Sequence, residues 1–241
     1  MLKINDWFYQ DLEETTSTND AVTEFFKKTN APSVVSSKIQ TNGRGRLGRL
    51  WKQASGNLYS SFIYEIEPKD LSRFVMISGL AAAQTVASFL PHTKVQIKWP
   101  NDVLADNKKI CGILFEKGPL NYWVMGIGIN VKKTPVLDNP LYEATSLLDM
   151  GSSVTRNEVL QVLVQHFDAL RAEYLQNGFA RIKAELLDRA YNRGKKIYIK
   201  GVKNELEGIF EGIDDDGALV LKTKQETMRV IVGDVFEKER K

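Results

Sequence analysis

Two stretches of the chain carry residue types suited to phosphate and carboxylate chemistry. The first is Thr41-Asn42-Gly43-Arg44-Gly45-Arg46-Leu47-Gly48-Arg49-Leu50-Trp51, in which glycines alternate with arginines and a tryptophan closes the run. Glycine lets the backbone approach a ligand closely and adopt positive φ. Arginine adds planar, bidentate donors that match phosphate and carboxylate. No helical or strand period fits this stretch, so it reads as a mobile loop ordered by what it binds. Taken alone, it is equally a solvated basic loop. The second stretch is Lys98-Trp99-Pro100-Asn101-Asp102, with Lys109 shortly after. Pro-Asn-Asp by itself is a turn former, and Lys109 by itself is a solvated strand-end charge. Turn-linked strands, however, bring such ends together. A carboxylate and lysines then suit a nucleotide–metal site, with Asp102 for Mg²⁺ and lysine for phosphate. Gly126-Ile127-Gly128-Ile129-Asn130 adds an alternating-glycine strand, which marks close backbone approach, a small-molecule groove floor, or both.

The elements that must position these groups are legible in outline. Ser17-Thr18-Asn19-Asp20 opens a helix to about Lys28, with Ser17 or Thr18 as its cap and Val22, Phe25 and Phe26 on one face. Ser33 to Ile39 and Leu58 to Ile66 read as strands. Leu71 to Leu90 reads as a buried helix that Pro91 ends. An antiparallel meander follows: Val95 to Trp99, Val103 to Ala105, Lys109 to Glu116 and Tyr122 to Val131, with turns between. Lys132 to Pro140 is a loop. Thr155-Arg156-Asn157-Glu158 is a capping box, and its helix aligns Val159, Leu163, Phe167, Leu170 and Tyr174 before stopping at Gly178. A further helix spans about Phe179 to Tyr191. From Lys195 short strands take over: Lys196 to Lys200, Leu206 to Ile213, Ala218 to Thr223 and Met228 to Val232. They predict a small barrel-like β unit resting on the main domain.

Composition bounds the partners. The 241 residues suffice for one large domain plus a small one. The net charge of +3 gives no broad attraction to nucleic acid or acidic membrane, so any basic function is local. Cys111 is the only cysteine, which excludes an intrachain disulfide or a cysteine-based metal cluster and suits a reducing cytoplasm. The first residues lack a signal peptide's apolar core. Phe74 to Leu90 is interrupted by Ser78, Gln84, Thr85 and Ser88, and falls short of the roughly 18 to 20 strongly apolar residues of a membrane span.

Taken together, these motifs resemble the biotin protein ligases. Ser17-Thr18-Asn19, Gln40, the Gly43 to Trp51 loop, Lys98 to Asp102, Lys109-Ile110-Cys111-Gly112-Ile113-Leu114 and Gly126 to Asn130 occur in that family's order and spacing. The likeness continues through Gly212-Ile213-Asp214 and Gly217, and it covers nearly the whole chain. It implies an α/β (α+β) fold. A mixed-sheet catalytic domain over residues 1–192 would carry a small SH3-like β barrel over residues 193–241. Members that also repress transcription carry an N-terminal winged helix. Here the motifs begin by Ser17, so the expectation is the ligase-only class, without DNA binding.

The resemblance implies a cytoplasmic enzyme that joins biotin to a lysine of a biotin carboxyl carrier protein through biotinyl-5'-AMP, using ATP and Mg²⁺. By analogy Lys109, Arg46 and Arg49 act on the carboxylate and phosphates. Ser17, Thr18, Asn19, Gln40, Gly43, Arg44, Gly45, Arg46, Lys109, Leu114, Gly126 and Gly128 surround biotin. Arg46, Arg49, Trp51, Lys98, Asn101, Asp102 and Asn130 meet the adenylate. A homodimer through a β edge is also implied. Two departures stand out. Leu47 replaces an arginine of some members. Ala144-Thr145-Ser146-Leu147 stands where some place a tryptophan over adenine. Two other readings compete: a lipoate or octanoate transferase of the same fold, and a nucleic-acid binder using Arg44, Arg46 and Arg49.

Overall fold

The computed structural model describes residues 1–136, 143–200, 205–231 and 233–236. The first ordered element is a short strand, β1 (Leu2–Ile4), paired antiparallel with β2 (Trp7–Thr15). Neither was expected, because Gln10, Asp11, Glu13 and Glu14 obscure the apolar alternation of β2. Helix α1 (Thr18–Thr29) then crosses to β3 (Ser33–Gln40), which runs parallel to β2. Ser17 is the N-cap, but its side chain makes no capping hydrogen bond. After the glycine-arginine loop come β4 (Leu58–Glu65), α2 (Leu71–Phe89) and the meander β5 (Val95–Lys98), β6 (Asp102–Ala105), β7 (Lys108–Lys117) and β8 (Tyr122–Ile129). The strands form one eight-stranded mixed sheet in the order β1-β2-β3-β4-β8-β7-β6-β5. The meander is antiparallel throughout, as expected. Residues 132–136 are irregular, and the remainder of the expected loop, 137–140, lies outside the described residues.

Alternation along the strands divides the apolar residues between two layers, because successive side chains point to opposite faces. Val35, Ile63 and Val124 pack with Val22, Phe25 and Phe26 of α1. Their neighbours Val34, Phe62 and Met125 join the larger core on the other face. That larger core is roofed by α2 and by α3 (Arg156–Asn177), which begins at the expected capping box: the Thr155 hydroxyl accepts from the Glu158 N–H, and the Glu158 side chain accepts from the Thr155 N–H. Trp7 is its N-terminal anchor. The ring meets Phe62 edge-on at 5.4 Å and Phe167 at 5.9 Å, while its indole N–H donates to Asp168 at 2.8 Å.

Helix α4 (Ala180–Asp188) leads into β9 (Lys196–Lys200), β10 (Glu205–Ile213), β11 (Leu219–Lys222), β12 (Thr227–Val230) and β13 (Asp234–Phe236). These strands form an antiparallel sheet in the order β12-β11-β10-β9-β13. The end strands β12 and β13 do not pair with each other among the described residues, so the sheet is not a closed barrel there. The expected strand to Val232 ends at Val230, and residue 232 lies outside the described residues. Ile197, Ile199, Phe210, Leu219 and Leu221 are continuous with the main core. The Asp214–Gly217 turn sits against α2, where Arg73 donates to the Asp215 carbonyl at 2.7 Å and to the Asp216 carboxylate at 2.6 Å.

No helix among the described residues is long and apolar enough to cross a membrane. Phe167 is 1% exposed and packed against two aromatic rings. Phe167→Ala is therefore expected to cost about 3–5 kcal/mol, the range for removing a large ring from a close-packed core. Urea unfolding checks this. A loss within about 1 kcal/mol would mean that the Trp7–Phe62–Phe167 cluster is not the anchor of α3.

Candidate active site

Cross-strand register gathers the site. Directly paired residues share a face. Lys98 pairs with Asp102, Asp102 with Gly112, Gly112 with Gly128, and Gly128 with Tyr59. One row across four strands and the edge strand thus holds two charges, two glycines and a tyrosine. The next row holds Leu114, Gly126 and Ser61, and the row beyond it begins with Glu116, paired with Val124. All three rows lie on the face that α1 covers at its other end. Small residues leave that face open, and a cleft of about 410 Å³ forms over it.

The cleft is lined by Ser17, Thr18, Asn19, Gln40, Arg44, Gly45, Arg46, Arg49, Trp51, Lys98, Asn101, Asp102, Lys109, Leu114, Gly126, Gly128 and Asn130. Of the residues expected around biotin or the adenylate, only Gly43 is not in the lining; its carbonyl accepts from the Trp51 N–H at 2.9 Å. The Gly43 to Trp51 loop is a tight hairpin with a bridge between Arg44 and Leu50 and a single 3₁₀ turn at Arg46–Gly48. Leu47 and Gly48 turn the chain with φ of 56° and 73°. The expected absence of regular structure thus gives way to a defined turn.

The glycine floor seats side chains. A Cβ on Gly112 would lie 2.5 Å from the Trp51 ring, and one on Gly128 would lie 2.6 Å from it. The indole therefore rests directly on the sheet backbone, and the Lys109 ammonium sits 5.5 Å from the ring centroid. A Cβ on Gly126 would lie 2.4 Å from Asn19 Oδ1.

The two ends of the cleft differ in charge. One end is polar and neutral. Gln40 Oε1 accepts from the Thr18 N–H at 2.8 Å and lies 3.0 Å from the Thr18 hydroxyl oxygen. Ser61 Oγ lies 2.7 Å from Thr18 Oγ1 and 2.5 Å from Asn19 Oδ1. Arg44 borders this end, but its guanidinium is committed. It donates twice to Asp20 at 2.8 Å and twice to Glu116 at 2.9 and 3.1 Å. The Arg44 hydrogen bonds hold the Asp20 carboxyl below its ordinary range. Burial pushes Glu116 up, but hydrogen bonds from Arg44 and Asn19 outweigh it and hold that carboxyl low.

The other end is cationic, and its charges are balanced within the protein. Lys109 Nζ donates to Asp102 Oδ1 at 2.7 Å. Arg46 donates to Asn101 Oδ1 at 3.1 Å, to the Gly233 carbonyl at 3.2 Å and to Asp234 at 3.3 Å. Arg49 donates to the second Asp234 oxygen at 2.8 Å. Burial lowers the proton affinity of the Arg46 guanidinium, and the Asp234 charge works against that. Lys98 is buried beneath this end at 4% exposure. Asn130 is buried too, donating to the Thr145 carbonyl at 2.9 Å. Cys111, on the same strand as Lys109, is fully buried, and burial pushes its thiol well above the ordinary range.

Sequence reasoning missed Ser61, Asp20, Glu116 and Asp234. Asp234 comes from the last described strand, and no spacing links it to Arg46 and Arg49. Glu116 carried a usable signal: it lies two residues beyond Leu114, on the same strand face. For Mg²⁺, the described residues contain no cluster of three or more His, Cys, Asp or Glu side chains placed to hold a metal. The cleft offers the carboxylates Asp102 and Asp234, which fits a cation bound by one or two carboxylates plus ligand phosphates.

Gly128→Ala should displace the Trp51 indole, since a methyl 2.6 Å from a ring cannot be accommodated without movement. Tryptophan emission should shift to the red relative to the parent protein, with the shift absent in a Trp51→Phe background. An unchanged spectrum would mean that the ring does not rest on Gly128.

The chain as a whole is similar to known proteins. Residues 11–130 match the model of the biotin/lipoate A/B protein ligase family, and residues 194–236 match the biotin protein ligase C-terminal domain. The chain is 32% identical over 237 residues to the biotin–[acetyl-CoA-carboxylase] ligase of Paracoccus denitrificans, covering 93% of this chain and 98% of that one. The enzyme of the same name from Mycobacterium tuberculosis is 31% identical over 210 residues, covering 84% and 77%. Among solved structures, the Aquifex aeolicus biotin protein ligase in complex with biotin and ATP superposes with a TM-score of 0.83 at 26% identity, covering 95% of this chain and 97% of that chain. A cleft with one neutral polar end and one cationic end, on a mixed sheet followed by a small antiparallel sheet, agrees with these matches, and the chain belongs to the biotin/lipoate A/B protein ligase family, among its biotin protein ligases.

Proposed function

We propose that this protein uses ATP to convert biotin to biotinyl-5'-AMP and transfers the biotinyl group to a specific lysine of a biotin carboxyl carrier protein. The observation that carries this reading is the polarity of the cleft. A neutral row of Thr18, Gln40, Ser61 and Asn19 suits a polar, uncharged ureido head. The cationic end, with Lys109, Arg46 and Arg49, suits the meeting of a carboxylate with phosphates. In this reading Ser17, Thr18, Asn19, Gln40 and the backbone of Gly43 to Gly45 surround the head, with Leu114, Gly126 and Gly128 as wall and floor. Trp51, Lys98, Asn101, Asp102 and Asn130 attend the nucleotide. Residues 1–192 act as the catalytic domain, and residues 193–241 supply Asp234 from an SH3-like domain.

In the first step a biotin carboxylate oxygen attacks the α-phosphorus of ATP. The new O–P bond forms as the bond to pyrophosphate breaks, and its electron pair leaves with pyrophosphate. Two anions must approach one another, so cationic donors at that point lower the barrier. Lys109 is the residue to do this, with its charge passing from Asp102 to the reacting oxygens. Arg46 and Arg49 pass from Asp234 to the phosphates. Mg²⁺ would be held by Asp102 and the phosphates, where it would neutralise their charge. In the second step the neutral amine of the carrier lysine attacks the acyl carbon, AMP departs with the C–O electron pair, and the nitrogen loses a proton. The loop hairpin over the cleft keeps the mixed anhydride from water between the steps.

A homodimer through the outer edge of β1 belongs to the same reading, since β1 ends the sheet order and Leu2 is exposed there. Sedimentation with adenylate bound should yield a dimer mass at high concentration. A monomer mass throughout that range contradicts it.

Lys109→Ala should slow single-turnover adenylation by about 10²-fold or more, as for loss of one preorganised charge-stabilising donor. Lys109→Arg should also slow it, because the guanidinium fork differs in bulk and geometry. Transfer from pre-made biotinyl-adenylate should suffer less. The wild-type protein must form biotinyl-adenylate in the same assay, detected by mass. Its absence from folded protein, or its formation from lipoate in preference to biotin, would overturn the proposed function. Wild-type adenylation by Lys109→Ala would overturn the role of Lys109 alone.

A further inference from the structure

We infer that Glu116 is a positioning residue that sets the donor and acceptor order of the neutral end of the cleft, acting through Asn19. The inference rests on the reading that this end receives the biotin head group. Glu116 stands on β7, two residues beyond Leu114 and on the same face of the sheet. An ionised carboxylate only accepts hydrogen bonds. Arg44 donates to both of its oxygens, so it is held ionised. Glu116 Oε2 lies 2.6 Å from Asn19 Nδ2. The Asn19 amide must therefore turn its nitrogen to Glu116 and its oxygen the other way.

That choice propagates. Asn19 Oδ1 faces Ser61 Oγ at 2.5 Å, over the bare backbone of Gly126. Oδ1 has no proton to give, so Ser61 donates to it. Ser61 has one proton, and its lone pairs are then left facing Thr18 Oγ1 at 2.7 Å. The Thr18 hydroxyl lies within reach of both Ser61 Oγ and Gln40 Oε1, so it is left to turn its one proton to Ser61, while Gln40 Oε1 keeps the Thr18 backbone N–H at 2.8 Å. Without the anion at the end of the row, Asn19 is free to turn over. Its nitrogen would then donate to Ser61, Ser61 to Thr18, and Thr18 to Gln40 Oε1 at 3.0 Å. These are two proton orders on one set of heavy atoms. A head group with one carbonyl and N–H groups matches an ordered row and mismatches the reversed one, and a mismatched buried polar group is costly. Glu116 selects the order. Through Arg44 it also ties that row to the first turn of the loop hairpin, and through Asp20 to the start of α1.

The test is Glu116→Gln in the full chain, with steady-state adenylation read as separate KM values for biotin and ATP. Glutamine keeps the shape but loses the charge and one acceptor. The KM for biotin should rise about tenfold or more, the scale of a hydrogen bond to a charged group, and the KM for ATP should stay within about twofold. A folding defect alone would lower the active fraction and hence kcat, leaving both KM values in place. Asn19→Ala should raise the KM for biotin similarly, and adding Glu116→Gln to it should raise it little further. An unchanged KM for biotin in Glu116→Gln, or a double variant showing the full product of the two effects, overturns the inference while wild-type adenylation of biotin keeps the proposed function. A wild-type protein that forms no adenylate fails at the earlier step and takes both down.

Discussion

Cations gathered in a partly buried cleft must be balanced, and most of this site follows from how that is done. Three arginines and Lys109 face one another across a small space, and each has a carboxylate partner. Asp20 and Glu116 take Arg44, Asp234 takes Arg46 and Arg49, and Asp102 takes Lys109. The partners come from α1, β7, β13 and β6. Removing Asp102 or Asp234 would leave cations without a carboxylate where water is partly excluded, and Asp20 and Glu116 together hold Arg44, so the loop, both sheets and the first helix are held in a common arrangement. The exposed members of this set contribute little to stability. Their value in the proposed reaction lies in geometry: guanidinium groups already aimed into the cleft would need little reorganisation if phosphate replaced carboxylate.

The same balance separates the four cations by role. Arg44 makes four hydrogen bonds to two carboxylates and serves as a tie between loop and scaffold. Arg46, Arg49 and Lys109 each share or hold a single carboxylate and line the cationic end. The sheet makes this separation possible through its register. Charged residues stand at one end of the cross-strand rows, while glycines in the middle leave room for Trp51 and Asn19 to lie on the backbone. The small C-terminal sheet, through Asp234, completes the cationic end, and its core is continuous with that of the larger sheet.

Much of this was legible in the residues. Strong β-branched runs separated by turns such as Pro100-Asn101-Asp102 located the meander, and Thr155 with Glu158 located the start of α3. The motif residues converge because the meander pairs neighbours in sequence, so spacing carries to proximity. What was not legible depends on pairing between distant segments. The strand from Trp7 to Thr15 was hidden by its charged residues and is specified by Trp7 burying itself under α3. The glycine-arginine loop looked structureless because its arginine side chains are anchored by Asp20, Glu116 and Asp234, none of which lies within it. Ser17 had the residue type of a capping side chain, yet it makes no cap. The role read for Gly128 as an open floor is modified by Trp51, whose indole covers it.

In the proposed reaction, ligand anions would take the guanidinium groups that Asp234 now holds. The most direct measurement is to follow the guanidinium N–H signals of Arg46 and Arg49 by NMR, assigned with single Arg→Lys variants, during titration with biotin and a non-hydrolysable ATP analogue. Both sets of signals should move together and saturate with the analogue, while Arg44 signals remain in place. Arg46 and Arg49 signals that stay unchanged at saturation, with their bonds to Asp234 intact, would contradict this exchange.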